Sequence, residues 1–233
     1  MNIPRNIPRL RIFSIILLLA MGCQPSGAKK EEPATPTVVK AQKEMVKEAP
    51  KPTAVNCTYT VKAATPKWTA YKYTEKAPVS GTFNESKLGE AKSATSLSEA
   101  LIGLTMAINP ASVESNNPAR NTTIATSFFN KFMPATEISA KVDAVKGNDS
   151  TGRITISVNM NSVSKALEFD YTMNDKGVLE AKKSVDMIDF NLKAAYDGIH
   201  EACKGLHTGK DGVAKTWTDV ELAVTAQIEK KCN

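Results

Sequence analysis

Ile154-Thr155-Ile156-Ser157-Val158-Asn159-Met160 puts an apolar side chain at every second position, with threonine, serine and asparagine between. Successive side chains of an extended chain point to opposite faces, so this stretch reads as a β-strand with one apolar and one wetter face. The same rhythm recurs outward from it. Leu167, Phe169 and Tyr171 alternate with Glu168, Asp170 and Thr172; Val220, Leu222 and Val224 alternate with Glu221, Ala223 and Thr225. Upstream, Ile102, Leu104, Met106 and Ile108 alternate with Gly103, Thr105, Ala107 and Asn109. Lys146-Gly147-Asn148-Asp149 and Asn174-Asp175-Lys176-Gly177 are turn signals between strand candidates, so neighbouring strands join as antiparallel hairpins. Six to eight such strands with short turns indicate an all-β sandwich or closed barrel.

Two segments depart from the strand period. Asn117-Pro118 has the form of a helix N-cap followed by proline in the first turn, with Ile124 and Phe128 four apart on one face and Phe129 and Phe132 extending it. From about Leu192 to Leu206, Ala195, Ile199, Cys203 and Leu206 fall at helical spacing before Gly209 and Gly212. Both helices are expected to flank or cap the strands, with their apolar faces either packing on the core or touching a ligand.

The N-terminus carries a different message. Arg5, Arg9 and Arg11 precede an apolar run from Ile12 to Met21, the order of a secretory signal. The run is too short to cross a bilayer, which takes about twenty apolar residues. Leu19-Ala20-Met21-Gly22-Cys23 resembles the lipobox at which bacterial lipoproteins are acylated and cleaved, giving a signal peptide over 1–22 and a lipid-bearing, palmitate-type anchor at Cys23. The competing reading is an ordinary secretory signal with an incidental cysteine. From Gln24 to Val55 the chain is Lys, Glu, Ala, Pro and Thr with no aromatic residue, a composition that cannot bury enough apolar area to order itself. Residues 23–55 are therefore expected to be a tether, with a reach of roughly 30 Å. Residues 56–233 form a domain of ordinary size. The net charge of +6 sits mostly outside that domain: the signal holds three arginines, the tether six lysines against four glutamates, and about +1 remains. Without a basic stripe interleaved with aromatics, no nucleic-acid partner is indicated.

Several short strings taken in order carry a family resemblance. Trp68-Thr69-Ala70-Tyr71-Lys72, Val79-Ser80-Gly81-Thr82-Phe83, Asn117-Pro118-Ala119-Arg120, Ser164-Lys165 and Asp189-Phe190-Asn191-Leu192 together resemble the YceI-like family of polyisoprenoid-binding proteins, from about Tyr59 to the end. The resemblance implies an eight-stranded, antiparallel, lipocalin-like β-barrel, with an elongated pocket for an amphiphilic lipid such as a polyisoprenoid. The helical insertion near 192–206 departs from simpler family members. A barrel of eight strands is either filled by side chains or holds one small ligand. The ligand-facing set is expected to be Trp68, Phe83, Leu104, Met106, Ile108, Phe128, Phe129, Phe132, Ile156, Val158, Met160, Leu167, Phe169, Tyr171 and Phe190, with Arg120 at the mouth. Parity leaves Trp68 on either face, and its indole area argues for the inside. For Arg120, a surface ion pair is the alternative.

Beyond Cys23 the chain has Cys57, Cys203 and Cys232. In a closed antiparallel barrel the first strand starts beside the end of the last, which favours a disulfide between Cys57 and Cys232 and leaves Cys203 free, though Cys203 pairing with either stays open. His200, Cys203 and His207 could share a helical face, but no further ligand lies near in sequence, so no metal site and no cofactor are assigned. No nucleophile elbow, phosphate loop or dinucleotide fingerprint occurs, which points away from an enzyme. The expected function is a membrane-anchored lipoprotein of the cell envelope, at the outer membrane or periplasmic face, that carries or stores a polyisoprenoid or fatty-acyl lipid. The alternative is an envelope interaction or structural lipoprotein with a filled barrel. The oligomeric state stays open, a dimer included.

Overall fold

A computed structural model describes residues 56–132 and 137–233; the expected signal peptide, Cys23 and tether lie outside them. Pro52–Asn233 is one compact unit with its own core.

Among the described residues, ten strands make a single antiparallel sheet: β1 (Cys57–Lys72), β2 (Ala77–Phe83), β3 (Ser86–Leu88), β4 (Thr105–Ile108), β5 (Val113–Glu114), β6 (Ile138–Gly147), β7 (Thr151–Met160), β8 (Val163–Met173), β9 (Val178–Asp186) and β10 (Asp219–Cys232). Their order is β3-β4-β6-β7-β8-β9-β10-β1-β2-β5. The count of eight is thus corrected to ten. The two additions, β3 and β5, are three and two residues long and extend the sheet at its two edges. They follow tight reversals too short to show a period of two.

The sheet curls because β1 serves three partners. Along its length it pairs with β10, from Cys57 opposite Cys232 to Thr69 opposite Glu221. Its second half also pairs with β2. Its first half instead meets residue 94 near the far edge: Tyr59 N–H donates to the Ala94 carbonyl at 2.8 Å, and Ala94 N–H returns a bond to Tyr59 at 3.0 Å. Bulges between Val61 and Ala63 in β1, and between Val142 and Ala144 in β6, add the local bend that curling requires.

The hairpins follow their turn chemistry. Asn161 and Ser162, both with positive φ, form the two-residue connection of β7 to β8, the twist that suits a tight hairpin. At the β8–β9 turn, Gly177 has φ +73° and its α-carbon lies against the Ile228 carbonyl, so a side chain would be both strained and obstructed.

Three α-helices of the described residues accompany the sheet. α1 (Leu97–Leu101) is capped by Ser96, whose hydroxyl accepts from Glu99 N–H at 3.2 Å, and it buries Leu97, Ala100 and Leu101. This corrects the strand expected from Ile102: the helix ends at Leu101, Ile102 is exposed, and strand pairing begins only at Thr105. α2 (Pro118–Ser127) starts as its sequence suggests, with Pro118 in the first turn and the Asn117 side chain accepting from Arg120 N–H at 3.0 Å. α3 (Lys193–Cys203) buries Ala195 and Cys203 and runs into a 3-10 turn at Gly205–His207. No helix of the described residues is long and apolar enough to cross a membrane.

Candidate functional site: an apolar cavity with two polar rims

Alternation decides which side chains enter the curled sheet. In β7, Ile154, Ile156, Val158 and Met160 are all buried, and the residues between them are more exposed. In β8, Phe169 and Tyr171 are buried while Glu168, Asp170 and Thr172 are not. The inward groups do not close on one another: they surround a cavity of about 620 Å³. That volume falls in the range of small-molecule sites, and the walls are dominated by aliphatic and aromatic carbon.

Of the residues expected to face a ligand, Trp68, Phe83, Leu104, Met106, Ile108, Arg120, Phe128, Phe129, Ile156, Val158, Met160 and Phe169 line this cavity. Four others do not. Phe132 is buried behind the lining, edge-on to Phe128 and Phe129 at centroid distances of 5.7 and 5.3 Å. Leu167 packs against the core without reaching the cavity. Phe190 is fully buried under the Lys165 ammonium, where the 3-10 turn Met187–Phe190 closes on the sheet. Tyr171 sits at the closed end, its hydroxyl donating to the Asn148 carbonyl at 2.5 Å. Strand parity places Leu167 and Tyr171 on the inner face correctly, but depth along the barrel depends on what fills each level.

Trp68 owes its inward position to the residue across from it. It pairs with Gly81, and its indole lies so close to that glycine that a side chain there would collide with the ring. Its Nε1–H donates to the Thr82 carbonyl at 3.4 Å. Phe83, Phe128 and Phe129 continue the aromatic wall, with Phe83 edge-on to Phe129 at 5.8 Å. Trp68, Phe83, Phe128 and Phe129 are all only partly buried, although each packs on the core.

Two polar groups stand out against the apolar lining. At the start of α2, Arg120 donates through Nε to the Ser115 hydroxyl at 2.9 Å and through Nη2 to the Ser115 carbonyl at 2.8 Å. Ser115 is itself buried and bonded to Asn121 Oδ1. A guanidinium has five N–H donors, and these bonds to neutral acceptors use two. The surface ion pair considered for Arg120 is replaced by an arginine braced against the cavity rim.

The second polar group lies beneath α3. Thr216, almost fully buried, holds both histidines: His200 Nδ1 at 3.1 Å and His207 Nδ1 at 2.7 Å from Oγ1. One hydroxyl proton cannot serve two acceptors, so at least one of the two rings presents Nδ1–H to Oγ1. Tyr196 stacks on His200 and donates to the Thr216 carbonyl at 3.1 Å. Burial holds the His207 imidazolium below its ordinary range, helped by Lys72 and His200 nearby. Burial also pushes the Cys203 thiol up, with Lys72 opposing weakly, so the sulfur stays protonated and a poor nucleophile. No set of three or more His, Cys, Asp or Glu among the described residues could hold a metal ion. The sequence offers His200 and His207 as neighbours on one helical face but gives no sign of Thr216, which joins them only through the fold.

The closed end is built for rigidity. Cys57 and Cys232 are joined by a disulfide, across a sequence separation of 175. Asp149 accepts from the Tyr59 hydroxyl at 2.5 Å and from the Lys230 ammonium at 2.7 Å, which together hold its carboxyl below the usual range.

A YceI-like domain model matches residues 54–228. No curated protein sequence matches. Among solved structures, a polyisoprenoid binding domain from Saccharophagus degradans is similar at 13% identity and a TM-score of 0.51, covering 74% of this chain and 98% of that one. BcnA of Burkholderia cenocepacia is 11% identical with a TM-score of 0.48, over 71% of this chain and 96% of its own. A YCEI protein of Campylobacter jejuni is 17% identical, also at 0.48, over 70% and 89%. Identities this low speak to the fold alone. With the domain model covering most of the length, the chain belongs to the YceI-like family.

Proposed function

We propose that this protein binds a polyisoprenoid or fatty-acyl amphiphile with its hydrocarbon chain inside the barrel and its polar head at the Arg120 rim, acting as a carrier or reservoir and not as an enzyme. The observation that carries the reading is the open, apolar cavity of about 620 Å³ walled by partly buried aromatics. Each methylene moved from water into such a space gains roughly 0.8 kcal/mol, so a chain of modest length suffices for tight binding. The remaining guanidinium donors of Arg120 suit an oxygen-rich head. Family membership supports the lipid class, as does the likeness in fold to the Saccharophagus degradans polyisoprenoid binding domain.

The same proposal includes the anchor. Acylation at Cys23 after removal of residues 1–22 would hold the domain on a bacterial envelope membrane, on the outer membrane or periplasmic side, and a dimer is compatible with it. Its support is the arginine-led apolar run and the small residues before Cys23.

Native mass spectrometry of the purified protein, followed by organic extraction, tests the binding reading. The expected result is a co-purifying apolar species, or saturable uptake of a fluorescent fatty-acyl probe after delipidation. A clean apo mass with no uptake overturns it. Labelling cells with an alkyne palmitate, with Cys23→Ser as control, tests the anchor.

A further inference from the structure

The segment from Lys204 to Trp217 combines features that a surface facing only water would not ordinarily keep together. Leu206 is 73% exposed and Val213 47% exposed. Leu206 also lines the cavity, so the cavity reaches solvent beside it. The loop is not loose. Tyr73 N–H donates to the Lys215 carbonyl at 3.0 Å, Lys215 N–H to the His207 carbonyl at 3.1 Å, and Gly209 N–H to the Val213 carbonyl at 3.0 Å. The Thr74 hydroxyl donates to Asp211 at 2.6 Å. The two apolar tips are therefore held outward by a braced scaffold and cannot fold back to shed their exposed area.

Charge identifies what would cover them. Lys204, Lys210 and Lys215 belong to this loop, and Lys72 and Lys76 to the facing β1–β2 hairpin. Lys215 sits over the Trp217 ring and Lys72 over the Tyr73 ring, not against carboxylates. The one acid of the loop, Asp211, is exposed and accepts from the Thr74 hydroxyl and from Val213 N–H. Glu201 and Asp219 pair with Lys204 and Lys76, and Glu75 and Asp211 lie in the same hairpin and loop, so five lysines face four acids; the small positive margin is carried by Lys72, Lys210 and Lys215, which form no ion pair among the described residues around the two apolar tips.

We propose that this loop docks the cavity mouth on an anionic phospholipid bilayer, with Leu206 and Val213 entering the interface and the lysines meeting lipid phosphates. The proposal rests on the lipid-binding reading in one respect: the docked mouth is where the ligand would pass between bilayer and barrel. Apolar insertion combined with lysines near anionic headgroups is the usual basis of reversible interfacial binding.

The test uses the compact unit Pro52–Asn233, which excludes the lipid anchor and the rest of the lysine-bearing N-terminal segment. Flotation with phosphatidylcholine vesicles containing phosphatidylglycerol is compared with flotation on phosphatidylcholine alone, at low and high salt. The expected result is salt-sensitive flotation only with the anionic vesicles. Leu206→Ser with Val213→Ser should abolish it, and each of Lys210→Gln and Lys215→Gln should weaken it about fivefold. Ile188→Ser, at another exposed apolar position, should leave it unchanged, and thermal melts confirm that every variant is folded. Absence of flotation by the parent unit, or equal flotation by the Leu206/Val213 variant, overturns the proposal; so does self-association through Leu206 without flotation, which assigns the loop to a second copy. Uptake of a fatty-acyl probe without vesicles is measured in parallel. Lost uptake with retained flotation counts against the lipid-binding reading and not against docking.

Discussion

The two ends of the barrel use similar residues for opposite purposes. At the closed end, Tyr59 and Tyr171 are buried to a few per cent and each hydroxyl is bonded, to Asp149 and to the Asn148 carbonyl. At the open end, Trp68, Phe83, Phe128 and Phe129 are at least as apolar, yet each stays partly exposed. Water is excluded from the first set by the protein itself. The second set leaves a space that some other molecule can fill. A large aromatic that stops short of full burial around a shared void therefore marks a binding wall, and one that is buried and hydrogen-bonded marks a plug.

Perturbing the two ends should separate stability from affinity. The largest effect is expected at the closed end. Replacing Cys57 and Cys232 with serine releases a loop of 175 residues, which chain entropy values at up to about 5 kcal/mol. Chemical denaturation should show that loss, while probe uptake by the folded fraction stays unchanged. Trp68→Ala at the open end should lower stability by about 2 kcal/mol, less than a fully buried aromatic would cost. It should also weaken lipid uptake about tenfold by fluorescence titration. Arg120→Gln should leave the melting temperature within a few degrees and reduce affinity for amphiphiles with an anionic head by about ten- to a hundredfold, with little change for those with a neutral head. Equal loss for both head types would remove Arg120 from head recognition.

The smallest effect concerns acid. The carboxyl of Asp149 is depressed first by the hydrogen bond from Lys230 and then by that from Tyr59. A carboxylate of lowered pKa stabilises the fold above its unfolded pKa, and that contribution disappears as pH falls through the folded value. Melting temperatures taken from neutral pH into the acid range should fall less steeply in Asp149→Asn than in the parent. Identical slopes would show that the Tyr59–Asp149–Lys230 cluster does not contribute to the seam.

Much of this contrast is written in the sequence as parity. The alternation in β7 and β8 places Ile156, Val158, Met160 and Phe169 on the inner face, and they line the cavity. Asn117-Pro118 announces α2 through cap chemistry that acts locally. What parity cannot carry is depth. Leu167 and Tyr171 share the inner face with Phe169 but lie where other groups fill the barrel, and Phe190 and Phe132 are covered by their own turns. The alternation from Ile102 to Ile108 starts the strand three residues early, and α1 just before it goes unread although Ser96 and Glu99 stand at the spacing of a capping box. The spacing of His200 and His207 brings them together on paper, but their meeting at Thr216 has no local signature, since it is made only through tertiary structure. Arg120, expected at the mouth, is among the residues that line the cavity, but its brace of Ser115 and Asn121 depends on β5, a strand of two residues.

The disulfide between Cys57 and Cys232 has a further consequence for how the domain survives proteolysis. With the first and last strands stitched together, the chain from Cys57 to Cys232 is covalently a ring. A protease that clips one exposed hairpin, such as Asp175–Lys176, opens that ring into a linear chain but releases no fragment, and the clipped molecule keeps every stave. Only a second cut elsewhere within the ring could free a piece.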